Sequence, residues 1–93
     1  MRVILDLTIV CDDPRHVYNT VRKELDTDLV PMVGMQLEDA AFGREPRAIE
    51  RLTMNPTHGY YLVDWQEHGQ NAEHCERLKR MYLSHGWTGL EVR

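Results

Sequence analysis

The chain has 93 residues, of which 42% are hydrophobic and 28% charged, values that favour one folded globular domain over a disordered chain. The 15 acidic residues outnumber the 11 basic ones, so the basic excess typical of nucleic-acid-binding proteins is absent overall. No apolar run approaches the roughly 20 residues that cross a bilayer, and no signal-peptide cleavage pattern follows the N-terminus. We therefore expect a cytoplasmic protein with one α+β domain over residues 1–93 and no membrane contact.

The first quarter of the chain predicts a strand followed by a helix. Residues 2–11 alternate between two faces that both carry apolar side chains, which is typical of a central β-strand. The Asp-Pro pair at 13–14 is typical of a helix N-terminus. Apolar residues then recur at intervals of four and predict the buried face of that helix. Its members are Val17, Val21 and Leu25.

Three extended segments are predicted in the middle of the chain. Residues 29–42 and 47–54 contain alternating apolar positions and are separated by a turn at 43–46. Residues 55–59 have the composition of a five-residue hairpin loop, and residues 60–65 have the composition of a strand. The sequence therefore predicts a meander of three antiparallel strands.

The last quarter predicts a second helix and a final strand. Asn71 can cap a helix that ends near Ser84, and Gly86 supplies the left-handed conformation that terminates many helices. Trp87 is then expected to fold back on the helix, and residues 88–93 to form a strand. The residues predicted to be buried in these two elements are Cys75, Leu78, Tyr82, Leu90 and Val92.

The resulting order, β-α-β-β-β-α-β, predicts a ferredoxin-like split β-α-β sandwich of the α+β class. Two helices would cover one face of a mainly antiparallel sheet, with the first and last strands near its middle. A simple α+β sheet with a different strand order is the alternative. In the ferredoxin-like arrangement, the sheet face opposite the helices is the largest surface available for a function.

Carboxylates and histidines provide one catalytic hypothesis. Asp6 and Asp64 lie inside predicted strands, and either His58 or His68 could join them in an acid–base pair on the uncovered face. The alternative is that polar residues occupy these strand positions because the positions face water. The sequence has no nucleophile, phosphate or dinucleotide motif, and its histidines and its two cysteines lack metal-ligand spacing, so we expect neither a cofactor nor a metal ion.

Aromatic and methionine residues provide a second hypothesis, a surface that binds a partner. Met32, Met54, Tyr60 and Tyr61 could form a self-association surface, because these residue types are enriched in interface cores. The alternative is a monomer whose aromatic residues complete its own core. The principal functional hypothesis is thus a non-catalytic binding or assembly module that could form a homodimer through its open sheet face.

Two other functions stay open. One is a small enzyme that uses the His/Asp pair, and the other is weak binding of single-stranded RNA by aromatic residues of the sheet. The strand that would carry these aromatics, residues 60–65, has no adjacent Lys or Arg, which argues against RNA. An unidentified protein or small molecule is the remaining kind of ligand.

Overall fold

A computed structural model describes residues 1–90 of the chain. In chain order the elements are β1 (Arg2–Asp13), β2 (Arg15–Asp26), β3 (Gln36–Leu37), a 3-10 turn (Ala40–Phe42), β4 (Arg47–Ala48), β5 (Arg51–Asn55), β6 (Tyr60–Asn71), α1 (Ala72–Ser84) and β7 (Thr88–Leu90). The main sheet has five strands in the order β5-β6-β1-β2-β7, and β3 pairs with β4 in a separate ribbon. Within the main sheet, β1 and β6 are parallel and the other neighbouring pairs are antiparallel.

The segment predicted as the first helix is strand β2, so the ferredoxin-like prediction with two helices is wrong. β2 pairs with β1 along almost its whole length. An interval of four residues is close to one helical turn but is also two full pleats of a strand, so Val21 and Leu25 share a face in either structure. The Asp-Pro pair at 13–14 lies in the tight turn between β1 and β2, and its peptide bond is cis.

Residues 1–90 contain one α-helix, and the crossover from β6 through α1 to β7 passes over both β1 and β2. The first strand is central, as predicted, but the last strand lies at the sheet edge beside β2. β7 begins at Thr88 as predicted and is described to Leu90. The predicted burial of Val92 concerns a residue outside the described range.

The predicted three-stranded meander is also wrong. Residues 29–35 form a loop, and the short β3–β4 ribbon belongs to a different sheet from β5. Between β4 and β5 the chain passes through Ile49, whose side chain is buried in the core. The hairpin loop between β5 and β6 is confirmed, whereas β6 continues beyond the predicted residue 65 to Asn71.

The apolar core lies on one face of the main sheet. Odd-numbered residues of β1 point into it, and α1 packs over them together with the segment between β2 and β5. The buried residues of the core are Val3, Leu5, Leu7, Ile9, Cys11, Val21, Ala41, Ile49, Val63, Trp65, Cys75, Tyr82 and Trp87. In the described part of the chain, α1 and this segment cover the same face of the sheet and leave the reverse face open.

The C-terminal helix follows its sequence signals. Asn71 caps α1 by accepting a hydrogen bond from the His74 amide at 2.9 Å. Gly86 has a φ of 88°, so the left-handed conformation expected after the helix is confirmed. The Trp87 ring lies 5.1 Å from the Tyr82 ring, which confirms that the chain folds back on α1.

Gly69 allows α1 to approach β6 closely. A Cβ atom on Gly69 would lie 2.4 Å from the Cys75 Sγ and 3.2 Å from the Cys75 Cα. Both residues are buried, and Gly69 is the register partner of Cys11 on β1. The absence of a side chain at this position therefore sets how near the helix lies to the sheet.

We predict that Gly69→Ala lowers the free energy of unfolding by about 1–3 kcal/mol, because the added methyl group forces α1 away from the sheet. Urea denaturation measures the change. The matched control is Gly89→Ala, whose Cβ would make ordinary contacts at 3.5 and 3.6 Å, and which should stay within about 0.5 kcal/mol of the wild type. Adding Cys75→Ala to Gly69→Ala removes the nearest atom, so the double variant should lose less stability than the two single changes together; strict additivity would contradict the close approach.

Candidate functional site

The uncovered face of the main sheet carries charged side chains that pair with one another. Even-numbered residues from Arg2 to Thr8 of β1 lie on it, beside alternate residues of β2, β5 and β6. Its ion pairs are Arg2–Glu24 (2.6 Å), Asp6–Arg22 (2.8 Å) and Asp64–Arg51 (3.4 Å). Positive and negative groups alternate across the face, which is typical of a surface that stays hydrated rather than of an apolar interface.

The predicted catalytic carboxylates lie side by side on this face. Asp6 and Asp64 are register partners on β1 and β6. Each is engaged by its own guanidinium, Asp6 by Arg22 and Asp64 by Arg51. The structure therefore places neither carboxylate in a pair with a histidine.

The two candidate histidines lie apart from Asp64. His68 Nδ1 is 2.8 Å from Asp12 Oδ1, a pair that the sequence did not suggest, and the two side chains are 45% and 51% exposed. His58 lies in the β5–β6 turn, where its ring stacks on Tyr60. Since water reaches His68 and Asp12 freely, their contact is a surface ion pair when the imidazole is protonated, and it encloses no substrate.

Within residues 1–90, no group of three or more His, Cys, Asp or Glu side chains is arranged to hold a metal ion. Cys11 and Cys75 are both free and fully buried. Burial raises the pKa of the Cys75 thiol, and the neighbouring Cys11 adds to that shift. A buried thiol with a raised pKa is a poor nucleophile at neutral pH.

The predicted partner-binding residues fall on different surfaces. Met54 and Tyr61 are register partners at the Arg2 end of the core face, whereas Tyr60 lies on the uncovered face. These three residues line a shallow cleft of about 150 Å³, and Met32 lies on a different loop. Trp65 is buried and donates its indole N–H to the Ala48 carbonyl, so it is unavailable for stacking on RNA bases.

The densest group of exposed apolar side chains follows β2, where the sequence predicted a strand. We call residues 29–35 the apolar loop. Five of its seven residues expose between 39% and 74% of their surface. Pro31, which lies between them in the chain, is buried. The exposed residues are Leu29, Val30, Met32, Val33 and Met35. The uninterrupted apolar run from 29 to 33 is the feature of the sequence that could have identified this loop. A half-buried strand would instead alternate apolar residues with polar ones.

Backbone hydrogen bonds fix the apolar loop against the rest of the molecule. The Gly34 amide donates to the Ile49 carbonyl at 2.8 Å, and the Ile49 amide donates to the Met35 carbonyl at the same distance. The Met35 amide also donates to the Met32 carbonyl at 3.0 Å, which closes a turn. The exposed apolar side chains thus stand on a constrained backbone anchored to the buried Ile49.

A cleft of about 270 Å³ opens between the apolar loop and the core face of the sheet, and we call it the loop cleft. Its floor consists of Val3, Ile49 and Val63, all of which are buried. Leu29 and Met35 of the apolar loop form part of its wall. Eight of its 11 lining residues are apolar, so the loop cleft presents a mainly apolar wall to solvent above a floor that stays buried.

Asp39 fixes the segment that follows the apolar loop. Its carboxylate accepts hydrogen bonds from Lys23 at 2.7 Å, from the Trp87 indole at 3.0 Å and from the Ala41 amide at 3.0 Å. Burial by itself would raise the pKa of Asp39, but these three donors outweigh it and hold that pKa below its ordinary value of 3.8. The ionised carboxylate therefore stabilises the attachment of this segment to β2 and to Trp87.

None of the protein-family models, curated proteins or solved structures compared with this chain matches it. Among residues 1–90, no helix is both long enough and apolar enough to span a lipid bilayer. The function must therefore be argued from the surface itself. The apolar loop and the loop cleft together form the candidate functional site, because they combine exposed apolar side chains with a concave surface.

We predict that Asp39→Asn lowers the free energy of unfolding at pH 7 by about 1.5–3 kcal/mol, since a charged acceptor of three hydrogen bonds is lost. The folded-state pKa is depressed, so the wild-type contribution is complete above the unfolded pKa and is lost as the pH falls through the lower folded value. Urea denaturation at about pH 7, 5 and 3 should show the two proteins converging in acid. Asp28→Asn, at an exposed position, is the control, and a gap between wild type and Asp39→Asn that stays constant with pH would contradict the role of the charge.

Proposed function

We propose that this chain is a non-catalytic assembly module that forms a homodimer through its apolar loop. The observation that carries the proposal is the concentration of exposed Leu, Val and Met side chains within the seven residues of that loop. A side chain of this kind gains roughly 1.5–3 kcal/mol when it is fully buried, and contiguous exposed apolar patches mark interaction surfaces. Met is also enriched in the cores of interfaces.

The apolar loop supports the proposal better than the uncovered sheet face. The charged groups of that face already pair within the molecule, so a partner that covered it would have to desolvate several ion pairs. Residues 29–35 carry no charge at all. Tyr61 lies beside this region, because it is the register partner of Val3, which forms part of the floor of the loop cleft.

A second copy of the chain is the partner that this surface suits. A two-fold axis brings the same patch of each protomer together, and an uncharged apolar patch is complementary to itself. A small domain has a limited core of its own, so burial against a second copy adds stability that the monomer lacks. The flanking acidic residues, Asp28 and Glu38, would lie at the rim, where their repulsion is weakened by salt.

We predict that the molar mass measured by size-exclusion chromatography with light scattering rises from 10.9 kDa toward twice that value as the protein concentration increases. A range from about 10 µM to about 1 mM covers a dimer of moderate affinity. The double variant Met32→Asp/Val33→Asp should remain at 10.9 kDa over the whole range, because two carboxylates would be buried without partners. Higher salt should increase the dimer fraction of the wild type.

The matched control is the double variant Thr53→Asp/Gln66→Asp, which adds the same charge to exposed positions of the uncovered sheet face. It should dimerise as the wild type does. A wild type that stays monomeric at about 1 mM would refute the homodimer. A control that abolishes dimerisation while the apolar-loop variant retains it would refute the assignment of the interface to the loop.

A further inference from the structure

The loop cleft has the dimensions of a small-molecule site. A dry apolar cavity of about 150 Å³ accommodates a benzene ring. The loop cleft, at about 270 Å³, is large enough for a bicyclic aromatic ring. Its depth is set by the core, since Val3, Ile49 and Val63 at its floor are each at most 3% exposed.

The lining of the loop cleft selects an apolar occupant. Only Thr27, Gln36 and Glu38 among its lining residues are polar, and the Thr27 hydroxyl already accepts a hydrogen bond from the Leu29 amide. Within the described residues, no buried side-chain nitrogen or oxygen lacks a hydrogen-bond partner, so none of them requires a bound water. Water in an apolar cleft is poorly held, and an apolar group that displaces it gains affinity.

The charge at the mouth of the loop cleft selects the polar part of the ligand. Glu38 lines the mouth, is exposed and forms none of the ion pairs of the described chain. Asp28 is adjacent in the chain to two lining residues but does not itself line the cleft, so Glu38 is the acidic group of the lining. Arg44 lines an adjoining pocket together with Glu38, but Glu45 lines that pocket as well. The mouth therefore favours an ammonium group and disfavours a carboxylate.

We propose that the loop cleft binds a small molecule consisting of an apolar ring or chain of about ten non-hydrogen atoms that carries an amine. The apolar part packs against Leu29 and Met35 of the cleft wall, above the buried floor, and the ammonium group lies at the mouth beside Glu38. Leu29 and Met35 form part of the cleft wall, whereas Met32 and Val33, at which the dimer is tested, do not line the cleft. Ligand binding and dimerisation can therefore be tested separately.

The test uses two probes that share an indole ring and differ in charge, tryptamine and indole-3-acetate. Titration into ¹⁵N-labelled protein, followed by amide NMR shifts, should move the signals of Leu25, Thr27, Ile49 and Val63 to saturation with tryptamine. Indole-3-acetate should bind about threefold to tenfold more weakly, because Glu38 repels its carboxylate, whereas Glu38 attracts the ammonium group of tryptamine. Glu38→Gln should bring the two affinities together.

A matched pair of variants on the apolar loop locates the apolar contact. Leu29 lines the loop cleft and Val30 does not, although both are exposed apolar residues. Leu29→Asn should weaken both probes by at least about threefold, whereas Val30→Asn should leave their affinities unchanged. Equal losses in the two variants would overturn the assignment of the ring to the cleft.

Three other results would overturn the proposal. The first is the absence of saturable shifts with tryptamine up to about 10 mM, and the second is equal binding of the two probes by the wild type. The third is weaker binding of tryptamine by the wild type as the protein concentration is raised, which would mean that a second copy fills the cleft. The variant Met32→Asp/Val33→Asp should lose the dimer but still bind tryptamine. Failure of the proposed dimer can therefore be distinguished from failure of the proposed ligand site.

Discussion

Strand β1 is hydrogen-bonded along both edges, to β2 on one side and to β6 on the other, and the rest of the structure is arranged around that double pairing. Its odd-numbered side chains are buried in the core from Val3 to Cys11. On the opposite face, Ile4 and Val10 are also nearly inaccessible, because neighbouring strands crowd them even where no helix lies above. Such a strand is buried although α1 and the segment between β2 and β5 cover only one face of the sheet in the described residues.

The cover on that face consists of two unlike parts. A helix of 13 residues is about 20 Å long, whereas a strand of twelve residues is about 40 Å long, so α1 shields only part of the sheet. Cys75 and Tyr82 of α1 reach the core, and the remaining cover comes from the irregular segment between β2 and β5. Irregular backbone fills space less evenly than a helix does. The loop cleft lies at the end of the sheet where Val3, rather than Cys11, forms the floor.

The location of the apolar surface is the main support for our proposal of a binding function. Asp6 and Asp64 are engaged by arginines on the uncovered face, and His68 pairs with Asp12 in open solvent. Exposed apolar groups, by contrast, are concentrated on the constrained backbone of the apolar loop. Keeping such groups in water costs free energy unless a ligand or a partner covers them for part of the time.

Local signals in the sequence predicted the elements that local interactions determine. The two-residue alternation of β1, the Asn71 cap of α1 and the left-handed Gly86 all depend on nearby residues, and each is confirmed. β2 was mistaken for a helix because its apolar spacing fits both periods, and only its pairing with β1 decides between them. Tertiary pairing of this kind is not encoded in a short window.

The candidate site was predictable only in part. The uncharged run of residues 29–33 is visible in the sequence, and Met32 was selected from it as a partner-binding residue. The loop cleft depends on Ile49 binding the backbone of the apolar loop, and the His68–Asp12 contact depends on the parallel register of β1 and β6. Both features join residues far apart in the chain, so neither spacing nor composition reveals them.

The parallel pairing of β1 with β6 also governs how the chain behaves during its synthesis. β1 and β2 leave the ribosome as neighbours and can form their hairpin while β6 is still unmade. Until β6 arrives, one edge of β1 presents unpaired amides and carbonyls along a mostly apolar stretch, and such an edge recruits strands from other molecules. The edge of β1 is thus most open to pairing with other chains before β6 is in place.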